Sequence, residues 1–185
     1  MIITGFDCET TGIKPDEHRF IEVCCHMWHL ESRTRRIAFV RRINPQRSIL
    51  AEAERVHGIN NSDVAGCPTF DHFAPLIQKI AANTDLWVAH NGIDFDMPFL
   101  DAEMRRAGLA LPKRPCFDTM VDGRWATPMG KVPNLGELCF ACGVDYYPSA
   151  AHAADYDVEV MMESFFKGLD WGWYKLPAVP ARVAA

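Results

Sequence analysis

Residues 2–12 read IITGFDCETTG, a stretch that joins an apolar run to two carboxylates and a turn. Its apolar start, residues 2–6, predicts a buried strand, and Thr-Thr-Gly predicts a turn. Asp7 and Glu9 lie two residues apart at the strand end, so both carboxylates project from one face. Two such carboxylates repel each other unless a cation lies between them, and hard oxygen ligands favour Mg²⁺ or Mn²⁺. An isolated pair of this kind fits a solvated acidic turn equally well.

Strand-like and helix-like segments alternate along the rest of the chain, which predicts an α/β fold. Further strands are predicted at residues 20–29, 37–43, 86–89 and 116–117. Helices are predicted at residues 51–57, 70–82, 95–107, 134–142 and 153–166. The Trp-, Pro- and Ala-rich residues 169–185 predict a C-terminal tail, either docked or poorly ordered, after a single domain of residues 1–168.

Composition limits the classes of function. The 185 residues are 49% hydrophobic, which suits one domain with a core. We expect no membrane association, because no apolar run approaches the roughly 20 residues of a membrane span. Seven scattered cysteines and the absence of a signal-peptide pattern predict reduced thiols and a cytoplasmic protein. The net charge of −5 argues against broad, phosphate-driven duplex binding, although not against binding a few nucleotides at a metal site.

Two further motifs carry acidic residues. Residues 90–100 read HNGIDFDMPFL, and residues 152–157 read HAADYD. On one regular helix His152 and Asp157 would lie about 140° apart, so we place His152 in the preceding loop and Asp157 within the helix. Asp94 is predicted to cap the second-motif helix by accepting a hydrogen bond from a backbone N–H near Met97. Asp96 shares a face with the apolar residues after it and is predicted to point inward.

The three motifs, in this order, resemble those of the DEDDh (DnaQ-like) 3′–5′ exonucleases, and the resemblance covers about residues 2–166. The segments VHGI at residues 56–59 and PTF at residues 68–70 agree with it. One additional residue between His-Asn and Phe-Asp is more similar to the exonuclease domains of phage polymerases than to proofreading subunits. The resemblance is therefore compatible with a free-standing phage or bacterial member. It implies an RNase H-like (ribonuclease H-like) fold with a central mixed sheet flanked by helices.

The resemblance also implies the site residues. The four acidic metal ligands would hold two Mg²⁺ or Mn²⁺ ions per site, and the histidine would complete the catalytic set: Asp7, Glu9, Asp96, Asp157 and His152. Ala153 stands where the tyrosine subtype would carry its tyrosine, which indicates the histidine subtype. The substrate would be bordered by Thr10, Thr11, Asn91 and Phe95. His152 would act as the general base, since an unperturbed pKa of about 6.5 suits that role near neutral pH.

The leading functional hypothesis is a 3′–5′ exonuclease that shortens single-stranded DNA ends, or RNA ends, to 5′-mononucleotides. A proofreading subunit acting with a polymerase partner stays open as an alternative. So does a catalytically silent nucleic-acid-binding module, although the complete set of acidic residues argues against it. A dinucleotide-binding oxidoreductase is excluded, because no Gly-x-Gly-x-x-Gly follows the first strand.

Several other residues have plainer interpretations. Cys139 and Cys142 form a CxxC without a second Cys/His pair, so core packing is favoured over zinc binding. His26 and His29 alternate with apolar residues and are predicted to lie on a sheet face. In the tail, the aromatic residues could either stack on bases or fold back on the domain.

Overall fold

The computed structural model describes residues 1–179, which fold around one five-stranded mixed sheet. The strands are β1 (Ile2–Thr10), β2 (Phe20–His29), β3 (Thr34–Arg42), β4 (Leu86–Ala89) and β5 (Cys116–Asp118). Their order across the sheet is β3-β2-β1-β4-β5. Strand β2 is antiparallel to β1 and β3, whereas β4 is parallel to β1 and β5 is parallel to β4.

Helices cover both faces of this sheet. They are α1 (Ala51–His57), α2 (Asn61–Val64), α3 (Phe70–Asn83), α4 (Asp96–Arg106), α5 (Leu135–Cys142) and α6 (Ala154–Asp170). Two short 3₁₀ turns, Asp122–Ala126 and Pro128–Gly130, precede α5. The prediction of an α/β fold with a central mixed sheet flanked by helices is confirmed. Among residues 1–179, no helix combines the length and the apolar character needed to cross a membrane.

Successive side chains along each strand point to opposite faces of the sheet, so the protein has two hydrophobic cores. On one face, Phe6 and Trp87 pack with the apolar sides of α3 and α4, and Phe99 stacks on Phe20. On the other face, Ile3 and Val88 pack against α5 and α6. Burial of both faces explains why the strands are rich in apolar residues on both sides. Cys139 and Cys142 lie in the second core, as predicted.

Element boundaries differ from the predictions where the sequence pattern is polar. Strand β1 continues beyond residue 6 to Thr10, because its polar end pairs with β2 as far as Phe20. Strand β3 begins at Thr34, immediately after the turn, since its first residues pair with β2 although their side chains are exposed. Helix α6 extends to Asp170, so the predicted domain boundary after residue 168 lies inside this helix.

The predicted capping role of Asp94 is wrong. The Met97 N–H donates to the Gly92 carbonyl at 2.9 Å, and Asp94 is exposed in the turn before α4. Asn91 adopts a left-handed φ of 65°, and the Phe95 N–H donates to its carbonyl at 3.1 Å. Backbone carbonyls of this turn therefore accept hydrogen bonds from N–H groups at the start of α4 without a side-chain cap. Phe95 occupies the N-cap position.

The first part of the predicted tail folds back on the domain. Tyr174 is buried against Phe117 and Phe165, and its hydroxyl donates to the Thr119 carbonyl at 3.2 Å. The ring lies so close to Gly168 that an added Cβ there would meet it at 2.4 Å. These contacts favour docking over base stacking for Tyr174. The rest of the predicted tail, residues 180–185, lies outside the described residues.

Candidate active site

The acidic end of β1 opens into a cleft of about 590 Å³. Asp7 and Glu9 lie on the same face of the strand, as their spacing predicts, and both line this cleft. The structure brings the other predicted catalytic residues to the same place. The cleft is also lined by Asp96, His152 and Asp157.

Asp96 is the first residue of α4 and points inward, as predicted, with 2% of its surface exposed. Its Oδ1 accepts hydrogen bonds from the Cys8 N–H at 3.0 Å and from the Cys8 thiol at 3.1 Å. Cys8 lies between the two acidic residues of β1, so these bonds fix the second motif against the first. Gly92 permits the close turn, because a Cβ there would meet the Ala89 Cβ at 2.2 Å.

His152 and Asp157 take the positions predicted for them, one before α6 and the other within it. His152 adopts a left-handed φ of 62°, and its backbone N–H donates to Asp157 Oδ2 at 3.0 Å. Ligand atoms of Glu9, His152 and Asp157 all lie within 4.8 Å of one another. The His152 side chain is exposed, so it reaches the cleft from the solvent side.

Crowding of the acidic side chains makes them hard to ionise together. Burial raises the pKa of Asp7 well above its usual range, and repulsion by Asp96 and Glu9 raises it further. Burial, followed by repulsion from Asp157, raises the pKa of Glu9 to about 9. Burial raises the pKa of Asp96 to about 7 despite the hydrogen bonds from Cys8. Burial also raises the pKa of Asp157, opposed by the His152 N–H.

The arrangement fits divalent cations. Across residues 1–179, no ion pair joins a Lys or Arg side chain to any of the four carboxylates. Asp157 Oδ1 is buried without a hydrogen-bond partner, which leaves one oxygen free for a ligand. A cation would remove the repulsion that raises these pKa values, because it favours the ionised form of every carboxylate around it.

Asp118 holds the second-motif turn, a role that the sequence did not reveal. It is buried at the end of β5 and accepts the N–H groups of Asn91 and Ile93 at 3.0 and 3.1 Å. It also accepts the Met120 N–H at 3.0 Å. The only sequence signal was the position of Phe-Asp-Thr at the end of a short strand.

Glu22 is the second residue that sequence reasoning missed. It pairs with Glu9 across β1 and β2 and is 7% exposed. Its Oε1 accepts the Ala154 N–H at the start of α6 at 3.2 Å, and its Oε2 accepts from Arg42 Nε at 3.2 Å. A carboxylate within an otherwise apolar strand was the available signal. Glu22 thereby ties the helix that carries Asp157 to the sheet.

The predicted substrate-binding residues divide into two pairs. Asn91 and Phe95 line the cleft, so they can contact a substrate there. The Thr10 and Thr11 side chains are buried and do not line it. Thr10 Oγ1 donates to the Gly12 carbonyl at 2.7 Å, and Thr11 Oγ1 contacts His18 Nδ1 at 3.0 Å, so both side chains stabilise the turn after β1.

Other residues, which were not predicted as site residues, also line the cleft. Two of them belong to the first and second motifs, and the rest come from α1, from the loop after β5, from the start of α5 and from the loop between α5 and α6. The cleft is completed by Cys8, Val56, His90, Met120, Asn134, Leu135, Gly136 and Tyr146. Val56, Leu135 and Tyr146 supply apolar and aromatic surface to the cleft.

The geometry agrees with comparisons to known proteins. A family model described as an exonuclease, RNase_T, matches residues 4–165. This chain belongs to that exonuclease family. The match spans all three motifs and confirms the DnaQ-like exonuclease resemblance.

Relatives of this exonuclease chain include replicative polymerases. It is 32% identical over 162 residues to a PolC-type DNA polymerase III of Ureaplasma parvum, covering 86% of this chain and 11% of the polymerase. It is 31% identical over 169 residues to the DNA polymerase III subunit epsilon of Treponema pallidum, covering 88% of this chain and 74% of the subunit. The chain thus spans a small part of the first relative and most of the second.

A solved structure supports the fold. E. coli exonuclease I in complex with a dT13 oligonucleotide superposes with a TM-score of 0.77 at 17% identity, covering 90% of this chain and 40% of that one. At this identity the likeness shows the fold alone, and it confirms the predicted RNase H-like architecture.

Proposed function

We propose that this chain is a 3′–5′ exonuclease that shortens single-stranded DNA one nucleotide at a time and releases 5′-mononucleotides. The observation that carries the proposal is the meeting of four carboxylates, one buried and three half-buried, with one exposed histidine in a single cleft. Family membership supports the same conclusion, because the match includes every residue of this set.

The proposed mechanism assigns a role to each of these side chains. Asp7, Glu9, Asp96 and Asp157 would hold two Mg²⁺ or Mn²⁺ ions. When bound, these ions would polarise the scissile phosphate and stabilise charge on the leaving oxygen. His152 would accept the proton of the attacking water and release it to solvent, for which its exposed position is suited.

The size of the cleft supports a single-stranded substrate. Its volume of about 590 Å³ is within the range of about 300–1,000 Å³ typical of small-molecule sites, which suits the end of one frayed strand. Phe95 and Tyr146 supply aromatic surface on which a terminal base could stack, and Asn91 supplies hydrogen-bonding groups. The backbone near Thr10 and Thr11 remains our proposed border of the terminal nucleotide.

A partnership with a polymerase is the second candidate function. The similarity to a polymerase III epsilon subunit over 74% of its length favours it. A silent binding module is disfavoured, because the acidic set and His152 are complete and converge. We also propose a cytoplasmic location, since the cysteines found in residues 1–179 are all unpaired thiols.

The test is degradation of 5′-labelled DNA and RNA oligonucleotides by purified protein in Mg²⁺, with Asp7→Asn as the inactive control. We expect a ladder of single-nucleotide steps from the 3′ end on DNA and no cleavage of a circular single strand. Cleavage of the circle would contradict the exonuclease assignment, and degradation of RNA alone would contradict the DNA preference. Addition of a polymerase should be unnecessary for the free-standing enzyme.

A further inference from the structure

A second cluster of metal-ligating groups lies between β2 and α6, outside the lining of the catalytic cleft. Cys24 and His26 are two residues apart on β2 and therefore share the face that α6 covers. His26 Nε2 lies 3.0 Å from Asp155 Oδ1, and His26 Nδ1 lies 3.0 Å from Glu159 Oε1. Ligand atoms of Cys24, His26 and Asp155 all lie within 4.8 Å of one another.

His26 is the observation that points to a ligand. It is 1% exposed, in agreement with the predicted sheet-face position, yet neither ring nitrogen makes a hydrogen bond of acceptable geometry. Buried polar groups are normally hydrogen-bonded, because an unmet one costs free energy. An imidazole facing a thiol and a carboxylate without aligned hydrogen bonds has the surroundings of a metal ligand.

We propose that Cys24, His26 and Asp155 bind a transition-metal ion of the zinc class. A thiolate, an imidazole and one carboxylate form a ligand set that suits Zn²⁺ and does not suit Mg²⁺. The site therefore differs in chemistry from the all-carboxylate set at the end of β1. It does not depend on the proposed catalytic function.

The surrounding residues indicate which atom of each ligand would bind the ion and which proton it would lose. In the metal-bound form, His26 would coordinate through Nε2, which faces Asp155, and its Nδ1 would lie beside Glu159, an outer-shell arrangement common around zinc histidines. Glu159 is also paired with Arg35, so Asp155 is the carboxylate available to the ion. Burial raises the pKa of the Cys24 thiol, and on binding, the metal would displace this proton to solvent.

The geometry requires only a small adjustment. Asp155 has a 60% exposed side chain in the first turn of α6, so it can move towards the two buried strand ligands. Its exposed side leaves a fourth position for water. A bound ion would join the first turn of α6 to β2 and so hold the turn that also carries Asp157.

The experiment uses the full chain, stripped with a chelator and titrated with Co²⁺ in excess Mg²⁺, which is added to compete for the acidic cleft. We expect a thiolate-to-cobalt charge-transfer absorption that saturates at one ion per chain. Cys24→Ser should abolish it, whereas Cys25→Ser should retain it, because Cys25 points into the opposite core. Absence of the absorption in the unmodified chain, or its survival in Cys24→Ser, would overturn the proposal.

Exposed carboxylates on α6 provide a second test that does not perturb the core. Asp155→Asn should weaken Co²⁺ affinity at least about ten-fold, and Glu163→Gln on the same helix should leave it unchanged. Equal effects of the two substitutions would contradict the site. Because Cys8 contacts Asp96, Cys8→Ser is a further control: loss of the absorption in this variant alone would place the thiolate in the catalytic cleft and overturn the assignment.

Discussion

At the residue scale, the two aspartates of the second motif differ in role, because Asp96 belongs to the candidate site and Asp94 does not. Asp96 is buried against Cys8, whereas Asp94 is exposed and caps nothing. Asp96→Asn should lower the cleavage rate about 10³-fold, corresponding to loss of several kcal/mol of metal assistance. In the absence of metal, the Tm of the Asp96→Asn variant should not fall, because a neutral amide removes the repulsion between this side chain and the neighbouring carboxylates. Asp94→Asn should change neither rate nor Tm, and a reversed pair of phenotypes would assign the ligand to Asp94.

His90 predicts a pH dependence of stability. Burial lowers its pKa from 6.5 to about 4, so the folded chain holds the ring neutral while the unfolded chain protonates it. The neutral His90 ring contributes fully to the free energy of unfolding above pH 6.5. This contribution is lost as the pH falls towards about 4. Urea unfolding across this range should show that His90→Gln loses less stability than the unmodified chain, by up to about 3 kcal/mol. Parallel pH profiles would contradict this account.

At the scale of elements, the close approach of β1 and α6 aligns the first and third motifs. A Cβ on Gly5 would lie 2.9 Å from both Val158 Cγ1 and Met162 Cγ. Gly5→Ala should therefore lower the free energy of unfolding by about 1–3 kcal/mol, and it should also reduce the cleavage rate by moving Asp157.

The matched control for this prediction is Gly66→Ala. A Cβ on Gly66 would meet nothing within 4 Å, so we expect a change of at most about 0.5 kcal/mol. Denaturant unfolding and the cleavage rate per folded molecule measure both effects. Equal stability losses in the two variants would show that the contact between β1 and α6 is not tight.

Prediction from sequence succeeded where one local pattern determines an element. The strand and helix positions of Asp7, Asp96 and Asp157 follow from periodicity. The predicted capping role of Asp94 was wrong, because the left-handed conformation of Asn91 lets backbone carbonyls accept the N–H groups at the start of α4. The role of Glu22 could not be seen either, since a strand sequence does not show which helix end will lie above it.

At the scale of the whole molecule, we propose that the folded domain extends past residue 168 to include Tyr174. Its ring packs on Phe117 and Phe165 in the second core. Tyr174→Ala should lower the free energy of unfolding by about 3 kcal/mol, as for other buried aromatic residues. Tyr147→Ala is the control, because that ring is 60% exposed. Equal Tm values for the two variants would show that the chain after α6 is not part of the domain.

We propose that the acidic cleft and His152 together form a metal-dependent exonuclease centre. The most direct measurement is the single-turnover cleavage rate of a 5′-labelled single-stranded DNA, in Mg²⁺ and in excess EDTA, for the unmodified chain and for His152→Ala. The exposed His72→Ala serves as the control. We expect no cleavage in EDTA, restoration by Mg²⁺, a loss of about 10²–10⁴-fold for His152→Ala, and none for His72→Ala. Full activity in EDTA, or an unchanged rate for His152→Ala, would contradict this proposal.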